Sequence, residues 1–329
     1  MPKQVRKAMS DIDLKIRELF AKAKHVAIVS HIRPDGDAIG SLLGLALALE
    51  DAGKRVTTVL EDDVDEKYSY LEGADRVRKE VPAGADCLVV VDCSDQRRTG
   101  EVLQGRVPNL VVDHHKTNLN FGRINLVLED AEATALILAE RLPEWGLNIT
   151  AAVANALLTG ILADTLGFRT SNVGPNCLRV AADLIDKGAD LHLAYHQTLV
   201  TRTAADVRYW GQALKRLNLR EGLLWTSLNL DDRIQAGYFN NDDADLVNIL
   251  SSVSDAVVTM VFVEQESGRV KISWRSIEGV DVSKIAFKFG GGGHAAAAGA
   301  ELEGSLTGVM QVVLPETFKL INESGMRYR

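Results

Sequence analysis

The stretch His25-Val26-Ala27-Ile28-Val29-Ser30-His31-Ile32-Arg33-Pro34-Asp35-Gly36-Asp37-Ala38-Ile39-Gly40-Ser41 decides the fold. His25–Ser30 is a short apolar run, and a second, Ala/Leu-rich run extends from Ala38 to Leu49. That order predicts a strand, a tight turn and a helix, with one histidine and two aspartates in the turn. Three potential metal ligands at i, i+4 and i+6 beside a buried strand are costly, because neighbouring carboxylates repel unless a cation neutralises them. The turn reads as half of a metal site.

Working outward, residues 10–22 read as an amphipathic helix, helix 38–52 stops at Gly53, and Arg55–Leu60 reads as a second strand. Asp86–Val91 is almost continuously apolar, as expected of a strand covered on both faces, and runs into Asp92-Cys93-Ser94-Asp95. Asn109–Val112 runs likewise into Asp113-His114-His115. Ala131–Leu142 and Thr150–Ala163 read as helices, the second leading into Asp164-Thr165. Strands alternate with helices, and three strand ends carry Asp or His. Open parallel α/β sheets place their sites there.

Residues 174–187 and 202–219 read as further helices, the latter a connector. Beyond it the pattern changes. Leu223–Leu230, Ala256–Val263 and Arg269–Ser276 read as strands, the last two forming a hairpin through Glu264–Gly268, with helical stretches at 243–252, 281–289 and 305–323. The expected fold class is α/β. A parallel-sheet domain with helices on both faces spans 1–187, a helical connector 188–219, and a smaller mixed α/β domain 220–329, with a cleft between the domains.

The composition, 46% hydrophobic and 25% charged over 329 residues, is that of a soluble globular chain with room for two cores. No apolar run approaches the roughly 20 residues of a membrane span, and the N-terminal MPKQVRKAMSDIDLKIRELF has no uninterrupted apolar core of a secretory signal. Cys87, Cys93 and Cys177 are an odd set without CxxC spacing, which predicts reduced, buried thiols and a cytoplasmic setting. A net charge of −8 argues against coating long duplex nucleic acid. A small or short anionic substrate at a local cationic site fits better.

His31, Asp35, Asp37, Asp92, His114 and Asp164 together form a carboxylate–imidazole set suited to Mn²⁺ or Mg²⁺, with His favouring Mn²⁺. Six side chains suffice for two ions roughly 3.5–4 Å apart, given one bridging carboxylate. Helix caps or turns would explain any one aspartate, and Asp37 is well placed as the N-cap of helix 38–52. Capping explains neither the histidines nor their strand-end positions. In Asp113-His114-His115, adjacent side chains point differently, so one imidazole can ligate while the other donates to a substrate oxygen. Phe289-Gly290-Gly291-Gly292-Gly293-His294 reads either as a flexible linker or as an anion cradle of backbone N–H groups aided by His294. Between Arg269 and His294 there are five Lys/Arg against two Asp/Glu. Arg275 among them is able to fork onto a phosphate, or else is a solvated strand-end residue.

In this order, HIRPDGDAIGS at 31–41, VDCSD at 91–95, VDHH at 112–115, ADTLGF at 163–168 and FGGGGHAAAAG at 289–299 closely resemble the motifs of the DHH phosphoesterase superfamily with its DHH-associated C-terminal domain. The two-domain layout is similar to the bacterial branch with nanoRNase and pAp phosphatase activity. The resemblance implies that His31 and Asp35 hold one Mn²⁺, that Asp37, His114 and Asp164 hold the other, and that Asp92 bridges them. It makes Asp113 an orienting residue and His115 the contact to the scissile phosphate or the acid for the leaving oxygen. Arg275, His294 and Gly291, Gly292 and Gly293 would bind a terminal phosphate or nucleotide.

The implied reaction is hydrolysis of short single-stranded oligonucleotides to mononucleotides, and removal of the 3′-phosphate of pAp, by a hydroxide bridging two metals. Metals at one wall of the cleft and an anion anchor at the other would favour substrates of two to a few nucleotides. Alternatives are a cyclic- or linear-dinucleotide phosphodiesterase, an inorganic pyrophosphatase, and a nucleotide-binding regulator without turnover. The resemblance also suggests a homodimer.

Overall fold

The computed structural model describes residues 10–326, which divide at Thr201/Arg202 into two units, each with its own sheet and core. The first contains α1 (Asp11–Lys22), β1 (His25–Val29), α2 (Gly36–Asp51), β2 (Arg55–Val59), β3 (Cys87–Val91), β4 (Leu110–Asp113), β5 (Ile124–Val127), α3 (Thr134–Arg141), α4 (Ala151–Asp164), α5 (Pro175–Asp186) and α6 (Leu191–Tyr195). Its five strands are all parallel, in the order β2-β1-β3-β4-β5. The chain leaves β1 for the β2 edge and returns on the other side as β3. The strand order therefore reverses between β1 and β3, and ligands of open α/β sheets bind at such a point. His31 and Asp92 follow the ends of these two adjacent strands.

β1 and β3 are buried along their whole length, which explains their unbroken apolar sequences. Val26, Ile28, Val89, Val91 and Val112 share one core with the apolar residues of α1 to α4. The alternate residues Ala27, Val29, Leu88, Val90 and Val111 pack with Val81, Val102 and Leu103 from short turns and connections. The expected fold class is present, with the long helices gathered in the first of these clusters.

Gly36, Gly40 and Gly44 recur every four residues along α2, on the side that meets α4. A Cβ at Gly40 would lie 2.4 Å from the Ala156 carbonyl oxygen and 2.7 Å from the Gly160 nitrogen, so bare backbone lets the helices touch. They run antiparallel: Gly36 meets Ala163, whereas Gly44 meets Leu157. This brings Asp37, at the start of α2, to the same end as Asp164, at the end of α4.

The second unit contains α7 (Ala204–Leu214), β6 (Asn218–Arg220), β7 (Leu223–Leu228), α8 (Leu230–Ala236), α9 (Leu246–Leu250), β8 (Val258–Glu264), β9 (Arg269–Ser276), α10 (Ser283–Lys288), β10 (Gly292–His294), β11 (Ala297–Glu303) and α11 (Leu306–Ser324). Its mixed sheet has the order β10-β11-β9-β8-β7-β6, antiparallel except for β7–β8. Met260, Phe262, Ile272 and Trp274 pack with α10 and α11, while Leu224, Leu228, Val261 and Val263 pack with α7, α8 and α9.

Two helices expected from the sequence are shorter than predicted. The one read over 202–219 stops at Leu214, because Asn218–Arg220 pairs with β7 instead. The two residues between those strands, Glu221 and Gly222, have φ of 48° and 75°, the left-handed pair that a tight hairpin uses. The one read over 243–252 is limited to Leu246–Leu250, preceded by Ala244 and Asp245 at φ of 52° and 62°. Cys87, Cys93 and Cys177 are buried and unpaired, as expected. Among the described residues, no helix is long and apolar enough to cross a membrane.

Candidate metal centre

His31 follows β1, and its Nδ1 lies 2.8 Å from the Ile32 carbonyl oxygen. A carbonyl can only accept, which assigns the ring proton to Nδ1 and turns Nε2 toward carboxylates. Nε2 lies 3.9 Å from Asp35 Oδ1 and 3.7 Å from Asp92 Oδ2. His114, after β4, is held in the same way, with Nδ1 donating to the Ala131 carbonyl at 3.1 Å. Its Nε2 is 3.4 Å from Asp164 Oδ2, 3.8 Å from Asp92 Oδ1 and 4.0 Å from Asp37 Oδ2.

These separations are long for hydrogen bonds but suit donor atoms each about 2.0–2.2 Å from a shared cation. Two ligand sets result, His31/Asp35/Asp92 and Asp37/Asp92/His114, with the donor atoms of each within 4.8 Å of one another. Asp92 turns one oxygen to each set. Asp164 joins the second through its approach to His114. The residues fit a pair of divalent cations.

The backbone makes this convergence possible. Asp92 sits just beyond β3 at φ 53°, an unfavourable value for a residue with a Cβ, and its N–H donates to the Val112 carbonyl at 2.9 Å. Asp37 corrects the sequence reading. α2 begins at Gly36, and its N-cap is Asp35, whose Oδ1 accepts from Asp37 N and Ala38 N at 3.1 and 3.0 Å. Asp37 instead serves another helix. α3 has no side-chain cap of its own, and Asp37 accepts from its first N–H groups, Thr134 at 2.6 Å and Ala135 at 2.9 Å. The Thr134 hydroxyl donates to Asp92 Oδ1 at 2.9 Å. The N-terminus of α3 thus orients two of the carboxylates, and its dipole favours their charge.

Burial and then the charges of Asp92 and Asp164 push the Asp37 carboxyl well above the usual carboxylate range. Asp164 is raised likewise by burial, Asp35 and Asp92. At Asp92 burial works in the same upward direction, but the nearby imidazoles of His31, His115 and His114 outweigh it and hold the carboxyl low. Such a cluster stores mutual repulsion that cations would relieve.

The two adjacent imidazoles have different partners, their rings meeting edge-on at 4.8 Å. His115 Nδ1 donates to Asp113 Oδ1 at 2.7 Å, and Asp113 Oδ2 accepts from Asn118 Nδ2 at 2.5 Å. Burial disfavours the charged His115, yet the bond to Asp113 and the charges of Asp92 and Asp113 prevail and raise its pKa to about 9. These partners favour the protonated form of His115, whose Nδ1 lies 3.7 Å from Asp92 Oδ1.

In the second unit, Arg275 Nε donates to Asn248 Oδ1 at 2.8 Å and Nη1 to the Trp274 carbonyl at 2.9 Å. Arg275 pairs with Ala297, which pairs with His294, so Arg275 and His294 lie in one row across three strands. The glycine run is not a linker. Gly292–His294 is a strand, and a Cβ at Gly291 would come 2.0 Å from the Gly299 carbonyl oxygen. Gly291 and Gly293 are thus glycines for close hairpin packing, whatever else they bind. Sequence reasoning missed Thr134, Ser41 and Asn118, which hold Asp37, Asp92 and Asp113. No spacing rule singles out these small polar residues.

Residues 25–161 match the N-terminal domain of the DHH family, and residues 231–323 match the DHHA1 domain. The chain is 37% identical over 286 residues to the bifunctional oligoribonuclease and PAP phosphatase NrnA of Thermus thermophilus, covering 85% of this chain and 84% of that protein. It is 26% identical to the NrnA of Bacillus subtilis over 83% of this chain and 87% of that one. A crystal structure of an exopolyphosphatase-related protein from Bacteroides fragilis superposes with a TM-score of 0.86 at 23% identity, covering 94% of this chain and 97% of that one. Taken with the two aspartate–histidine sets sharing Asp92, these matches mean that the chain belongs to the DHH phosphoesterase family.

Proposed function

We propose that this protein hydrolyses short oligonucleotides to mononucleotides and removes the 3′-phosphate of pAp, using two Mn²⁺ ions. The observation that carries the reading is Asp92, with one oxygen facing each of two imidazole–carboxylate sets. Relatives named as bifunctional oligoribonucleases and PAP phosphatases support the substrate class. The mixed imidazole and carboxylate donors suit Mn²⁺, with Mg²⁺ the alternative ion.

In this reading His31 and Asp35 hold one ion, Asp37, His114 and Asp164 the other, and Asp92 both. Bound cations supply Lewis acidity toward phosphoryl oxygens and lower the pKa of water. The protein's own groups do the rest. The Ile32 and Ala131 carbonyls fix the histidine tautomers. Asp113, itself fixed by Asn118, keeps His115 protonated so that it can pass a proton to the leaving ester oxygen. Arg275 and His294 bind a phosphate or nucleotide of the substrate.

The test is a Mn²⁺ titration with pApA, pAp, cyclic di-AMP and pyrophosphate as substrates. Release of AMP from both pApA and pAp is expected. Preference for cyclic di-AMP or pyrophosphate would replace the substrate assignment, and no turnover of any would refute the enzyme reading. Mass measurement in solution tests the expected homodimer.

A further inference from the structure

Arg97 and Arg98 are adjacent in the short turn Gln96–Thr99 that follows β3, but the fold uses them differently. Arg97 is committed to Asp95, its Nε and Nη2 reaching Oδ2 at 2.9 and 2.6 Å. Arg98 is only partly exposed, and among the described residues its guanidinium has no hydrogen-bond acceptor and no carboxylate partner.

The root of Arg98 is tightly fixed. Its N–H donates to the Asp95 carbonyl at 2.9 Å, and its own carbonyl accepts from Ile32 N–H at 2.7 Å. Ile32 adjoins His31, so the Arg98 backbone is bonded directly to the metal-ligand turn. Next to it, Thr99 is fully buried, with its hydroxyl on the Gln96 carbonyl at 2.7 Å. The charge of Arg98 is felt at both His31 and His115, each 3.7 Å from an oxygen of Asp92.

The acidic neighbour whose carboxyl Arg98 helps to hold low, Asp95, is already hydrogen-bonded by Arg97, which leaves the Arg98 guanidinium beside two imidazoles without a bonded anion among the described residues. That setting suits a ligand that brings the anion. A phosphoryl group at the Asp92 cluster carries non-bridging oxygens that match a guanidinium fork, and guanidinium is the side chain best shaped to donate to two of them at once. We propose that Arg98 is a phosphate-contacting residue of the first unit, donating to non-bridging oxygens of the phosphoryl group at the His31–Asp92–His115 cluster. There it neutralises charge that builds on those oxygens as the ester bond breaks. The role rests on the phosphoesterase reading above.

The experiment uses the full chain loaded with Mn²⁺ and compares wild type with Arg98→Gln, Arg98→Lys and the control Arg97→Gln. Turnover of pAp and pApA is measured together with Mn²⁺ content and with inorganic phosphate binding by titration calorimetry. Arg98→Gln is expected to lower kcat/KM about 10- to 100-fold and to weaken phosphate binding about tenfold, with Mn²⁺ content unchanged. Arg98→Lys should recover part of the loss, and Arg97→Gln should behave as wild type. Unchanged phosphate binding and kcat/KM in Arg98→Gln would overturn the proposal, as would loss of Mn²⁺ or an equal effect of Arg97→Gln. Should the wild type turn over neither nucleotide, the proposed function fails while the calorimetry still decides on Arg98. In that case equal phosphate affinity of wild type and Arg98→Gln, or no phosphate binding by the wild type, refutes it.

Discussion

Replacing Thr134 with valine removes one proton donor from the carboxylate cluster and little else. Thr134 is fully buried, and its hydroxyl donates to Asp92 Oδ1 at 2.9 Å. Valine has nearly the same shape and keeps the backbone N–H that holds Asp37 at 2.6 Å. The loss is thus one hydrogen bond to a charged acceptor, about 1.5–3 kcal/mol. At about 2–4 °C per kcal/mol for a domain of this size, the metal-free protein should melt about 3–12 °C lower. Asp92 would also lose the contact that fixes its rotation, and removing such an outer partner lowers metal affinity about 10- to 100-fold. Differential scanning calorimetry of the metal-free protein and Mn²⁺ titration of each variant measure the two effects separately. Thr134→Ser, which keeps the hydroxyl, should restore most of the affinity. If Thr134→Val bound Mn²⁺ and melted like the wild type, the idea that α3 orients the cluster would be wrong.

Three further outcomes are expected. Gly160→Ala places a Cβ 2.8 Å from Asp37 Oδ1 and 2.5 Å from Ala135 Cβ, so it should destabilise the first unit by about 1–3 kcal/mol and reduce Mn²⁺ uptake, as read by urea unfolding and metal analysis. Asp13, far from the metal residues in sequence, is almost fully buried. Burial opposes its charge, but bonds from Ser10 and Trp145 and the charge of Arg141 hold its pKa below the usual value. A depressed pKa stabilises the fold above the ordinary carboxyl value of about 3.9, and that contribution disappears as pH falls through the folded value. Asp13→Asn should therefore be less stable than wild type at pH 7 by about 1.5–3 kcal/mol, with the gap closing below pH ~3.9 in urea melts. Asn248→Ala removes the acceptor that aims Arg275 Nε; KM for pAp should rise while kcat changes less and Mn²⁺ content stays the same.

What the sequence made legible follows a physical divide. β1, β3 and β4 were readable because buried parallel strands are continuous apolar runs, and the ligands follow their ends directly. β5 was not, since Ile124–Val127 is short and mostly half-exposed, and β6 was hidden because a charged helix pattern overlapped it. The metal-ligand candidates stood out as His and Asp in unusual places. Their supports, Thr134 and Asn118, are ordinary polar residues whose value comes from packing 42 residues from Asp92 and 5 residues from Asp113. The glycine run shows the opposite limit: of its two readings the linker does not hold, since Gly292–His294 forms a strand, and the preceding Gly291 makes room for the Gly299 carbonyl.

Asp37 explains why the opening turn needs its particular spacing. If α2 began one residue after Asp37, that carboxylate would be drawn onto its own helix, as the sequence suggested, and would point along α2. Because Asp35 takes the cap, Asp37 lies in the first turn, where its oxygens meet α3 and the Nε2 of His114. The earlier start is permitted only by Gly36, since a Cβ there would sit 2.4 Å from Ala163 Cβ and 2.7 Å from the Tyr68 hydroxyl. Gly36 thus lets one aspartate cap its helix while the next is handed to a neighbouring helix and the metal cluster. The six-residue step from His31 to Asp37 places ligands in two sets because the helix begins between the two aspartates.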